Sequence, residues 1–212
     1  MEKYAEPSKE IFEFVMNTDG TYTVTDILTR GIDHLEIPEG VSVLGPHLIF
    51  DLDHESEKGN FDPQTVSFPS TLKSIEVGFF NGNSRMETLK IPGNVTHIGS
   101  GAFQFSNFKS VEFEEGLEEI GVAAFSFCPN LKTIIIPASC KRIGWRCFAE
   151  CDSLERILIR EPNGWEKWKL QDGPVESYKK MLFGNVYQSL LFDPCTAATF
   201  LKKDIEIRKK QA

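Results

Sequence analysis

The chain predicts a mainly β repeat solenoid of about six coils of 22–23 residues, with a β-hairpin capping one end and a helical cap closing the other. Three observations carry this. Phe80, Phe103, Phe125 and Phe148 recur at steps of 23, 22 and 23 residues. Phe103, Phe125 and Phe148 sit in the same local phrase: a short apolar strand, a turn, an Ile-Gly step, then a small residue and phenylalanine; Phe80 ends a looser copy with Ile75 and Phe79-Phe80. A single unit of this kind cannot enclose its own apolar side, so neighbours must stack and share a core.

The N-terminal element, residues 1–31, reads as a capping hairpin. Ile11 to Met16 and Thr21 to Val24 are strand-like runs flanking Asn17-Thr-Asp-Gly20, a turn signal. The solenoid follows over residues 32–160. Its copies run Ile37-Pro38 to Leu44-Gly45, then Phe68-Pro69 to Phe80, Ile91-Pro92 to Phe103, Phe113-Glu114 to Phe125, and Ile136-Pro137 to Phe148. A sixth strand, Ile157-Leu158-Ile159, ends the series. Proline closes four of the strands because it has no N–H to give to a ladder. The C-terminal segment, residues 161–212, is expected to be a cap. In it Asp193-Pro194 resembles a helix start, and Ala197, Ala198, Leu201 and Ile205 recur at helical spacing. Trp165, Trp168 and Tyr178 read as cap core.

Five cysteines, without C-x-x-C or Cys/His zinc spacing, do not form a disulfide framework. Four fall on the repeat. Cys128 and Cys151 stand three residues after a ladder phenylalanine, in one column with Asn83 and Ser106, where small polar groups can bond turn backbone. Cys140 replaces Val95, and Cys147 replaces Ala102 and Ala124, as packing residues.

The phrase Ile-Pro-x-x-Val-x-x-Ile-Gly-x-x-Ala-Phe-x-x-Cys-x-x-Leu-x-x-Ile-x-Ile-Pro resembles the BspA-type leucine-rich repeat of bacteria. It is clearest from Leu89 to Ile159. The resemblance implies a leucine-rich-repeat arc, no enzymatic activity, and a surface that binds other proteins, with a surface or secreted adhesin for host proteins or glycans as the alternative.

Charge and length narrow the function. Lys+Arg 23 against Asp+Glu 31 gives a net charge of −8, which argues against general nucleic-acid or anionic-membrane binding. No apolar run is long enough to cross a bilayer as a helix, and residues 1–10 are charged without a hydrophobic stretch behind them. The expectation is a cytoplasmic protein, or a surface or secreted one if a leader has been removed. The inserted loop 50–63, with Asp51, Asp53, Glu55, Glu57 and Asp62, loosely resembles a calcium loop. It lacks glycine at the sixth position and glutamate at the twelfth, so it reads as acidic and solvated. His47 and His54 lie beside it without a ligand spacing, and no nucleophile motif or phosphate loop is present. No catalytic residue, metal or cofactor is expected. Asn94-Val95-Thr96 matches a glycosylation acceptor, which a bacterial origin would leave silent.

What remains is a surface. Period-two alternation turns one residue of each strand outward: Glu36, Ser67, Lys90, Glu112, Ile135 and Leu158. The last two are apolar neighbours, flanked by Lys132, Thr133 and Arg156. They mark either a docking patch for an as yet unknown protein partner or ground covered by the C-terminal cap.

Overall fold

A computed structural model describes residues 4–29, 31–46, 62–144 and 146–154, with the backbone of the strands at 156–159, 190–191 and 205–209. It is a stack of coils built from short strands, two per coil. The hairpin strands β1 (Phe12–Met16) and β2 (Tyr22–Ile27) pair antiparallel around Gly20, whose φ is 81°. Five coils follow, each with a first and a second strand: β3 (His34–Glu36) and β4 (Val41–Leu44), β5 (Thr65–Ser67) and β6 (Ser74–Ile75), β7 (Thr88–Ile91) and β8 (His97–Ile98), β9 (Ser110–Phe113) and β10 (Glu119–Ile120), β11 (Thr133–Ile136) and β12 (Arg142–Ile143). The strand β13 (Arg156–Ile159) opens a sixth coil, and β14 (Leu190–Leu191) and β15 (Ile205–Lys209) come last.

Like strands of successive coils lie side by side. The second strands make a parallel run that the hairpin extends, in the order β1-β2-β4-β6-β8-β10-β12. Among the first strands, β3 pairs with β5, while β7, β9, β11 and β13 form a parallel run continued by β15 and β14. The hairpin thus does more than cover the first coil, since β2 is a member of the sheet and pairs with β4.

The turns obey the proline rule. The N–H groups of Val41, Leu72, Val95 and Cys140 donate to the carbonyls of Pro38, Pro69, Pro92 and Pro137 at 3.3, 3.2, 3.0 and 3.1 Å. Inside, the phenylalanines form the expected ladder. Phe80 and Phe103 stack at 5.5 Å, Phe103 and Phe125 at 5.1 Å, and Phe125 and Phe148 at 6.1 Å, all buried. The column beside them is a hydrogen-bond seam. Ser106 Oγ, Cys128 Sγ and Cys151 Sγ donate to the carbonyls of Phe80, Phe103 and Phe125 at 3.2, 3.3 and 3.1 Å, each one coil back. Asn83 Nδ2 does the same to Pro63 at 2.9 Å. Each buried polar group in the seam therefore meets a backbone carbonyl of the preceding coil and is not left unsatisfied.

One expectation needs correction. Residues 205–209 are a strand, not part of a terminal helix. Ile205-Glu-Ile-Arg-Lys209 also alternates with period two, and pairing with β13 satisfies its backbone where an isolated last helical turn would satisfy less. Apart from β14 and β15, the cap segment with Trp165, Trp168, Tyr178 and Cys195 lies outside the described residues, as do Asp51 to Glu57, His47 and His54.

Candidate docking face

The sheet of first strands aligns the outward column. Its register places Lys90 beside Glu112, Glu112 beside Ile135, and Ile135 beside Leu158. Thr133 stands beside Arg156 in the neighbouring row, and exposed Lys132 immediately precedes it. Glu36 and Ser67 pair with one another in the separate β3-β5 sheet. Strand period decides the faces. In β7 and β9, Lys90 and Glu112 are exposed while Leu89, Ile91, Val111 and Phe113 are buried. In β11 the outward Thr133 and Ile135 are half-buried, and Ile134 and Ile136 are buried.

The charged part of this face is tied coil to coil. Lys90 Nζ meets Glu114 at 2.8 Å, and Lys109 Nζ meets Glu87 at 2.7 Å. The hydrogen bond from Lys90, helped by the N–H of Gly93, holds the Glu114 carboxyl below its ordinary range, and the same bond raises the Lys90 ammonium. From Ile135 onward the described column carries no such pair. The backbone of β15 adds edgewise to β13, with Glu206 opposite Leu158 and Ile207 opposite Ile157, so it widens the sheet.

Other sequence candidates resolve into structural roles. Asp62 accepts from the N–H and hydroxyl of Ser84 at 2.8 and 2.5 Å. Asn94 of the acceptor triplet donates inward to the carbonyls of Pro69 and Leu72 at 3.1 and 2.7 Å. Cys128, Cys140, Cys147 and Cys151 are buried and unbridged. The Cys151 thiol is pushed up by its hydrogen bond with Cys128 and by burial, and burial raises Cys147 as well and Cys140 to about 12. A thiol held neutral is a poor nucleophile.

A second exposed surface escaped the alternation argument because it lies on turns. Val77, Phe105, Val122 and Phe127 are all exposed. Phe105 and Phe127 stack at 4.7 Å, with φ of 60° and 57°. Their recurrence two residues after ladder phenylalanines was the available signal.

Among the described residues no helix is long and apolar enough to cross a membrane, and no cluster of three or more His, Cys, Asp or Glu could hold a metal. The comparison with curated proteins finds no match. Solved structures do match. The pneumococcal vaccine antigen PcpA aligns at 19% identity and a TM-score of 0.55, over 76% of this chain and 51% of its own, so the chain spans about half of that protein. A leucine-rich repeat protein from Bacteroides capillosus aligns at 23% identity and 0.46, over 72% of this chain and 96% of its own. A leucine-rich cell surface protein from Faecalibacterium prausnitzii aligns at 21% and 0.43, over 74% and 54%. A family model described as the BspA type leucine-rich repeat region matches residues 58–164 in six copies. With half the chain matched, and with stacked coils that carry the repeat's ladder, turns and seam, the chain belongs to the BspA-type leucine-rich-repeat family.

Proposed function

We propose that the chain is a non-enzymatic protein-interaction module that docks a partner on its sheet of first strands, through Ile135 and Leu158 with Lys90, Glu112, Lys132, Thr133 and Arg156 around them. One observation carries the reading: the register sets half-buried Ile135 beside exposed Glu112 and beside Leu158, where the charged column turns apolar. An apolar centre with a charged rim is the usual anatomy of a contact surface. The repeat family supports it, being a fold commonly used for protein interaction or adhesion. A surface or secreted adhesin binding host proteins or glycans is the second reading, supported by the repeat family.

The test is a quantitative pull-down with the wild-type chain and with Ile135→Asp combined with Leu158→Asp, both checked for cooperative melting. A folded double variant that loses a specifically enriched protein supports the face. A folded double variant that enriches the same proteins as wild type removes it. Surface labelling of intact cells separates the adhesin from an internal module.

A further inference from the structure

The turn after each ladder phenylalanine holds one position in a left-handed conformation. Gly82, Phe105, Phe127 and Glu150 occupy it, with φ of 76°, 60°, 57° and 56°. Backbone bonds set the four on successive rungs. The N–H of Gly82 donates to the carbonyl of Gln104 at 2.7 Å, that of Phe105 to Ser126 at 2.9 Å, and that of Phe127 to Ala149 at 2.8 Å. Glycine is the residue this conformation favours, and one coil uses it. Two neighbouring coils instead carry phenylalanine, 53% and 38% exposed. A ring held in a strained turn and left in water gains little for folding, so its use lies in what it presents.

The stack is open on one side only. Phe127 has Phe105 at 4.7 Å on one face, and half-buried Glu150 takes the next rung beyond it. On the far side of Phe105 the next rung is Gly82, where an added Cβ would meet nothing within 4 Å. Phe105 is accordingly the more exposed ring. A space one rung wide is left there, with glycine at its base and an aromatic face beside it. Its surroundings carry no charge. Residues 77–84, 99–108 and 121–131, the turns of three successive coils, contain no Asp, Glu, Lys, Arg or His, although 25% of the chain is charged. Charge returns in the following coil, where Arg146 and Glu150 lie 3.9 Å apart. Aromatic enrichment with charge depletion is the composition of an interface centre.

We infer that this bare rung receives an aromatic side chain of a partner protein, which stacks on the free face of Phe105 and lengthens the pair to three rings. The 4.7 Å between the two rings equals the spacing of adjacent strands, so one planar group fills one rung. A charged side chain would give up hydration beside turns that offer it no counter-charge. A sugar would find no side chain at Gly82 to bond its hydroxyls. The site lies on turns rather than on the sheet of first strands, and it stands independently of the docking face proposed above.

The experiment is an NMR titration of the full chain with N-acetyl-tyrosine amide, with N-acetyl-leucine amide and methyl glucoside as controls. The expected result is saturable shifts at the amides of Gly82, Gln104 and Phe105 with the tyrosine probe alone. Phe105→Leu keeps an apolar side chain without the ring, and should weaken the tyrosine probe about three- to tenfold at an unchanged melting temperature. Gly82→Asn tolerates the same φ and fills the rung, so it should weaken the probe with Phe105 still in place. Absence of saturable shifts with tyrosine, equal shifts with leucine, saturable shifts with methyl glucoside instead, or a titration unchanged in both variants would each overturn the assignment. Shifts at these amides that grow with protein concentration before any probe is added would give the rung to a second copy of the chain, and would overturn it as well.

Discussion

Two stacks of phenylalanine run through this molecule two residues apart in sequence, and they do opposite things. Phe80, Phe103, Phe125 and Phe148 are sealed in the core, whereas Phe105 and Phe127 stack just as closely at 4.7 Å in water, on backbone of positive φ. The buried rings are stabilised by removal of apolar surface from water and by close packing on every side. The exposed pair stacks ring to ring but leaves 53% and 38% of its surface in water, and it is set against a left-handed backbone that costs a non-glycine residue roughly 1–2 kcal/mol. Stacking geometry alone therefore says nothing about which rings hold a solenoid together. Burial decides it.

Phe125→Ala should give the largest effect, a loss of about 3–5 kcal/mol in urea unfolding, because the cavity would open between Phe103 and Phe148 where coils cannot slide together. A loss below about 1 kcal/mol would put the two stacks on the same footing. The cysteine seam tests the boundary between them, since Cys128 follows exposed Phe127 directly and is itself buried. The native thiols of Cys128, Cys140, Cys147 and Cys151 should resist an aromatic disulfide reagent at pH 8 and react freely in urea. Rapid native reaction would mean that the seam is open. Cys140 adds a pH signature. Its thiol rises from 9.0 to about 12 through burial, so the folded chain holds this proton where the unfolded chain releases it. Its contribution is complete below pH 9 and lost as pH climbs from 9 toward 12, and Cys140→Val should flatten that part of the stability curve. Phe127→Gly should give the smallest change, within about 1 kcal/mol of wild type, since relief of the strained φ offsets the lost stack of about 0.5–1.5 kcal/mol. A loss as large as that of Phe125→Ala would show the exposed pair to be structural.

Much of this was legible from the chain, for a reason particular to repeats. The spacing of Phe80, Phe103, Phe125 and Phe148 repeats one local problem four times, so chance matches cancel and the column of Asn83, Ser106, Cys128 and Cys151 emerges with its role. The outward column was legible too, because strand period two is a local property. The last strand was not. Ile205 fits a helical row with Ala197, Ala198 and Leu201, and it fits an alternating row with Ile207, and only the waiting edge of β13 selects the second. The bare rung was hidden differently. In the sequence Gly82 is one mismatch in a loose copy, where the next two copies have Phe105 and Phe127, and mismatches in degenerate repeats read as decay.

By itself, then, the sequence determined the coil length, the ladder, the turns after Pro38, Pro69, Pro92 and Pro137, and the family to which these belong. Each follows from short-range constraints: an apolar side that needs a neighbour, a proline without a donor, a small residue beside a ring. The tertiary structure alone decided that the hairpin enters the sheet through β2, that β15 extends β13, and that Gly82 leaves a bare rung beside Phe105. Those depend on which backbone lies alongside which, and a free sheet edge or a gap between coils comes into being only when distant segments of the chain have met.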